Sequence, residues 1–134
     1  MPDSDFSMPL RVYYEDTDAG GVVYYARYLQ YMERARTEWL RARGLEQTAL
    51  RAEHGILFAV RDAQIRYRRP ARLDDELRVS VRVDPPRRAS LVFHQRVSVA
   101  DSLCVEGVFT VACVDADAFT PCPIPESVRN GIIS

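Results

Sequence analysis

Apolar positions along the chain fall into two textures, one helical and one of alternating strands. Tyr28, Met32, Ala35 and Trp39 recur at i, i+4, i+7 and i+11 and draw a single apolar stripe, while Arg27, Arg34, Glu38 and Arg41 line another face. That period predicts a helix over residues 25–43, about 27 Å long, with Gly44 placed as its C-terminal stop. From Ile56 onward the period drops to two. Leu77, Val79, Val81 and Val83 alternate with Arg78, Ser80, Arg82 and Asp84, the signature of an antiparallel strand with one face buried. Residues 56–67, 90–99 and 105–115 read as further strands. Arg69-Pro70-Ala71 and Pro85-Pro86 break the series, and Asp101-Ser102 supplies a hairpin turn. Before the helix, residues 10–14 read as a first strand that follows a disordered start. Residues 47–53 suggest a short helical turn, and the tail carrying Pro121, Pro123 and Pro125 reads as extended, without a further element.

One strand, one long helix and then several antiparallel strands form an α+β pattern. A sheet with one apolar face must cover it, and only the residue 25–43 helix is long enough, so the sheet has to curl around that helix. At 134 residues, without a linker or repeat, the chain is expected to form one domain, residues 1–134. The net charge of −1 carries no nucleic-acid signature, no apolar run is long enough to span a membrane, and the polar, acidic residues 1–9 are unlike a signal peptide. All 18 basic residues are arginine, which removes any lysine-based chemistry. Cys104, Cys113 and Cys122 are odd in number and nine apart, so neither CxxC metal spacing nor a fully paired disulfide set fits, and cytoplasmic residence is expected.

The candidate chemistry lies between the first strand and the helix, in Glu15-Asp16-Thr17-Asp18-Ala19-Gly20-Gly21. Two carboxylates at i, i+2 are followed by adjacent glycines and then by a helix start. Unpaired N–H groups and the positive end of the helix dipole there favour developing negative charge. A carboxylate beside such an oxyanion site suits hydrolysis at an acyl group. The competing reading is structural, because aspartate beside glycine often caps a helix or bends a turn. A calcium loop does not fit: Gly20 stands where an oxygen ligand belongs, and Arg27 replaces the terminal glutamate. Asp74-Asp75-Glu76 reads as a solvated turn, His54 and His94 as surface or strand histidines, and Cys104 and Cys113 as small core residues.

The stretch Arg11-Val12-Tyr13-Tyr14-Glu15-Asp16-Thr17-Asp18-Ala19-Gly20-Gly21-Val22-Val23-Tyr24 resembles the signature of the hot-dog fold acyl-CoA thioesterases. It is most similar to the 4-hydroxybenzoyl-CoA thioesterase group and, within it, the YbgC-type enzymes associated with the bacterial Tol–Pal system. The resemblance continues through Tyr31-Met32-Glu33-Arg34-Ala35-Arg36-Thr37, Pro70-Ala71-Arg72-Leu73-Asp74-Asp75 and Ser90-Leu91-Val92-Phe93. It implies a hot-dog fold, a curled antiparallel sheet wrapped around one long central helix. It also implies hydrolysis of acyl-CoA or acyl-carrier-protein thioesters, with Asp18 as nucleophile or general base and Asp16 in support. The backbone amide of Tyr25 would be the oxyanion donor, and Gly20, Gly21, Tyr25, Arg87, Arg88 and Ser90 would bind substrate. The arginine pair would meet the coenzyme A phosphates. Many YbgC-type proteins carry histidine where this chain has Tyr25, whereas the 4-hydroxybenzoyl-CoA enzyme has tyrosine. No metal and no organic cofactor are implied. The partner is a second copy, in a dimer or tetramer with the active site at the subunit interface. Hot-dog dehydratases use a histidine near the helix, and residues 22–43 contain none. A non-catalytic acyl-binding or scaffold protein of an envelope or phospholipid-synthesis complex is the alternative on the same fold.

Overall fold

The computed structural model describes residues 6–133. The elements run β1 (Phe6–Arg11), α1 (Arg27–Ala42), α2 (Gln47–His54), β2 (Ile56–Tyr67), β3 (Glu76–Val83), β4 (Ser90–Val99), β5 (Ser102–Asp115) and α3 (Glu126–Ile133). The strands form one five-stranded sheet in the order β1-β3-β4-β5-β2, and every neighbouring pair is antiparallel. The arrangement is α+β, as the residue pattern requires.

Alternation fixes which face of the sheet meets α1. Leu77, Val79 and Val81 of β3 are buried, as are Leu91, Phe93 and Val97 of β4 and Val105, Phe109 and Val111 of β5. The α1 stripe of Tyr28, Met32, Ala35 and Trp39 is buried against them, with the Trp39 and Phe93 rings edge to face at 5.6 Å. α1 comes close to the sheet at Gly107 of β5, where a Cβ would stand 3.2 Å from Met32 Sδ and 2.9 Å from Phe109 Cε2 on the same strand. Gly44, at φ +74°, ends α1: Leu45 N–H reaches Leu40 O at 2.8 Å and Gly44 N–H reaches Arg41 O at 3.0 Å, the paired bonds of a Schellman stop.

Four expectations need correction. The first strand spans Phe6–Arg11 and not residues 10–14, so part of the expected disordered start is ordered strand; residues 1–5 lie outside the described ones. Tyr13 and Tyr14 leave the sheet because the Asp16 carboxylate accepts the Tyr13 N–H at 2.9 Å and folds residues Tyr14–Asp16 into a 3-10 turn. The long helix starts two residues later than residue 25 and ends one before residue 43. The β4–β5 turn is Ala100-Asp101, with Ala100 at φ +53°, since Ser102 already pairs with Val99. The tail holds α3, which buries Val128 and Ile132.

Candidate active site

The chain leaves the 3-10 turn and makes a tight loop before α1. Thr17 and Val23 bridge across it, Asp18 N–H reaches Val22 O at 2.9 Å, and Gly21 N–H returns to Asp18 O at 3.0 Å. Val22 bridges to Arg72, and Val23 N–H donates to Ala71 O at 2.8 Å, so the loop is fastened to the segment that precedes β3. The glycines have separate reasons. Gly21 sits at φ +80°, where a side chain is strained, and a Cβ at Gly20 would stand 3.3 Å from Asp18 Oδ1.

The two carboxylates have different surroundings. Asp16 is buried: Oδ2 accepts the Tyr13 N–H, Arg27 Nε lies 3.6 Å from Oδ1, and its carbonyl accepts the Tyr24 N–H at 2.8 Å. Arg27 also reaches Glu15 O at 3.2 Å and so ties the turn to the helix start. Burial and then the neighbouring Asp16 carboxylate push the Tyr31 phenol well above the ordinary tyrosine range. The Tyr31 hydroxyl makes no hydrogen bond of good geometry among the described residues. Asp18, by contrast, is exposed. Its Oδ1 accepts the Gly20 N–H at 2.9 Å, and among the described residues Oδ2 has no partner. The structural reading of the motif is thus realised at Asp16, while Asp18 shapes the turn with one oxygen and keeps the other open.

Tyr25 stands just ahead of α1, whose N-cap is Ala26. No acceptor for the Tyr25 N–H occurs among the described residues, and its carbonyl accepts the Tyr67 hydroxyl at 3.2 Å. The Tyr25 ring is exposed and lies 4.8 Å from Tyr24 and 6.3 Å from Tyr67, centroid to centroid. Burial raises the Tyr67 phenol above its ordinary value, so it remains a protonated donor near neutral pH. Sequence reading missed Tyr67 in this role. Its only signal is an aromatic at the end of a strand, and nothing local says that this end meets the helix start. Tyr28, which accepts the Ala71 N–H at 3.0 Å, braces the same corner from inside.

Asp18, Gly20, Gly21 and Tyr25 therefore share one corner of the molecule. Arg87, Arg88 and Ser90 do not join them. The Asp18 loop is fastened where β3 begins, through Val12 N–H to Asp75 O at 2.9 Å, whereas the arginines follow its far end. An eight-residue strand puts about 23 Å between the two ends. Arg87 and Arg88 are exposed and have no ion pair among the described residues; Ser90 is buried at the start of β4, its carbonyl accepting the Arg87 N–H at 3.0 Å.

The model of the thioesterase-like superfamily matches residues 12–132, and the chain belongs to that family. It is 44% identical over 129 residues to the acyl-CoA thioesterase YbgC of Haemophilus influenzae, covering 96% of this chain and 95% of the relative. Among solved structures, a probable thioesterase from Bartonella henselae superposes with a TM-score of 0.85 at 32% identity, over 90% of this chain and 98% of that one. A thioesterase from Thermus thermophilus, crystallised with coenzyme A and zinc, gives 0.83 at 27% identity over 98% and 99% of the two chains. The fold is the hot-dog fold, and the protein is an acyl-CoA thioesterase of the YbgC type. These comparisons favour an enzyme over the scaffold alternative.

Proposed function

We propose that Asp18 carries the thioester chemistry, as nucleophile or as the base that activates water, while the Tyr25 amide receives the oxyanion. The observation that supports this most directly is the contrast between the two carboxylates. Asp16 is buried and fully engaged, and Asp18 is exposed with one oxygen unengaged. As nucleophile, Asp18 would form a mixed anhydride with the acyl group and expel the coenzyme A thiolate, after which water cleaves the anhydride. As base, it would take a proton from water as the hydroxide adds to the carbonyl. The tetrahedral intermediate then collapses, breaking the C–S bond and releasing the coenzyme A thiolate, which takes up the proton. In either route the carbonyl oxygen gains negative charge at the Tyr25 N–H, at the positive end of α1. Tyr67 holds the far side of the Tyr25 residue through its carbonyl, and Gly20 lets the Asp18 carboxylate lie close to the backbone.

Arg87 and Arg88 bind the coenzyme A phosphates in this reading, with Ser90 fixing their loop. Acyl-carrier-protein thioesters are a second substrate class. The long separation between Asp18 and the arginines within one chain supports a site completed by a second copy, in a dimer or tetramer. The edge strands β1 and β2, the exposed Tyr24 and Tyr25 and the half-exposed Val60 supply unpartnered surface for such contacts. We place the single-domain enzyme in the cytoplasm, in service of the Tol–Pal envelope system. Among the described residues, no helix is long and apolar enough to cross a membrane.

Thiol release from a panel of acyl-CoAs is the test. Asp18→Asn should lower kcat by about 100-fold or more, with melting temperature and assembly unchanged. Retention of more than about a tenth of the wild-type kcat would reassign the role.

A further inference from the structure

α3 was unforeseen, and its one arginine does something specific. Arg129 Nη1 donates to Pro86 O at 3.2 Å, while Nη2 donates to Arg87 O at 2.8 Å and to Arg88 O at 3.4 Å. One guanidinium thus holds three successive carbonyls of the loop that carries the arginine pair. Arg129 forms no ion pair among the described residues, so its donors serve backbone and not a carboxylate. The planar fork suits this task, because its donors point in fixed directions from one rigid group.

The surrounding bonds converge on the same loop. Ile124 N–H donates to Arg88 O at 2.9 Å, and Cys113 N–H to Ala89 O at 2.8 Å. α3 is itself anchored to the end of α1. Arg43 Nη1 donates to Ile132 O at 3.1 Å, a Cβ at Gly131 would stand 3.3 Å from Leu45, and Val128 and Ile132 are buried. The loop backbone is therefore fixed from the core outward, while the Arg87 and Arg88 side chains remain exposed. A phosphate site built on a mobile loop would have to order that loop at every binding event, at a cost in affinity. Two adjacent cations also repel, which favours splayed loop conformations unless the backbone is held.

We infer that Arg129 is a positioning residue for coenzyme A recognition: through three carbonyls it holds the backbone of residues 86–88 so that Arg87 and Arg88 present a preformed site to the phosphates. The inference rests on the reading of Arg87 and Arg88 given above. It assigns α3 a part in substrate affinity, although α3 lies far from the Asp18 corner.

The test is a cycle of variants on the full-length protein: Arg129→Ala, Arg87→Ala with Arg88→Ala, and all three together. KM and kcat are measured with an acyl-CoA and with a short acyl thioester that lacks the nucleotide. Arg129→Ala should raise KM for the acyl-CoA about three- to tenfold, leave kcat near wild type, and leave the short thioester unaffected. In the background lacking Arg87 and Arg88, the same change should add nothing to KM. Arg129→Lys keeps the charge but not the fork and should fall between; full rescue by lysine would make Arg129 a simple charge and overturn the inference. An undiminished effect in the background without the arginine pair would do the same. If the pair's removal raises KM for acyl-CoA but Arg129→Ala does not, positioning alone is wrong. If the pair's removal leaves the two substrates equally affected, the phosphate role of Arg87 and Arg88 is wrong instead. Should Arg129→Ala not fold, as judged by its melting curve, the lysine variant carries the same comparison.

Discussion

At the scale of single residues, the molecule separates carboxylates that shape the backbone from one that stays open to solvent. Asp16 and Asp18 are two residues apart with the same side chain, yet burial and hydrogen bonding give one to the fold and leave the other exposed with an open oxygen, which is where the proposed chemistry falls. Sequence spacing could not divide them, because both readings place a carboxylate in a turn. Gly107 is a shaping position of a different kind. Its backbone takes no left-handed angle, so its requirement is space alone, with Phe109, Ile65 and Met32 all within 3.2 Å of where a Cβ would be. Gly107→Ala should therefore destabilise by about 1–3 kcal/mol through overpacking between helix and sheet. Urea titration checks this: a midpoint equal to wild type would mean that Met32 and Ile65 simply move aside.

At the scale of elements, period decided what was legible. The α1 stripe and the alternation of β3 each follow from one repeating interval, and both faces are where that interval puts them. The elements that sequence reading lost were lost for local reasons, a single non-periodic contact at β1 and neighbouring prolines at α3. β1 ends early because one Asp16–Tyr13 hydrogen bond turns the chain, so the strand is the Phe6, Met8, Leu10 alternation and not the tyrosine run after it. Pro9 in β1 is tolerated because that strand is an edge. α3 follows three prolines that read as extended chain, yet Ile124, Val128 and Ile132 form an i, i+4, i+8 stripe that is buried, and Pro125 just ahead of the helix lends its carbonyl to the Arg129 N–H at 2.9 Å. Arg36 was missed inside α1 for another reason: a charged residue was not expected among the buried ones. Its Nη1 donates to Gln95 Oε1 at 3.0 Å, Gln95 Nε2 donates to Met32 O at 3.0 Å, and the guanidinium lies 4.4 Å above the Phe109 ring. Burial pulls its pKa down to about 10, the mark of a charge held at some cost. Arg36→Met should destabilise by about 1–3 kcal/mol, because Gln95 Oε1 is left unpaired, and adding Gln95→Leu should recover much of that loss. Thermal melts of the two single variants and the double variant decide it; strictly additive losses would mean that the pair is not coupled.

At the scale of the whole molecule, the proposed function asks residues at opposite ends of β3 to serve one substrate. The proposed answer is that the Asp18 corner of one protomer meets the Arg87–Arg88 loop of another, which a mixing experiment tests. Under the proposed function, Asp18→Asn should keep the arginines but lose the chemistry. Arg87→Ala with Arg88→Ala should keep the chemistry but bind acyl-CoA weakly. When the two variants are denatured together and refolded, shared sites differ from sites within one chain. If each site draws Asp18 from one copy and the arginines from the other, a mixed dimer holds one doubly defective site and one fully wild-type site. Half of the dimers from an equal mixture would be mixed by random pairing, so activity at low acyl-CoA should rise well above the mean of the separate variants. The restored fraction should show the wild-type KM. If each site lies within one chain, no arrangement unites an intact Asp18 with intact arginines, and the mixture gives only the mean. Light scattering on the same sample supplies the other half of the test, since a fully active monomer at micromolar concentration would defeat the two-chain site whatever the mixture does.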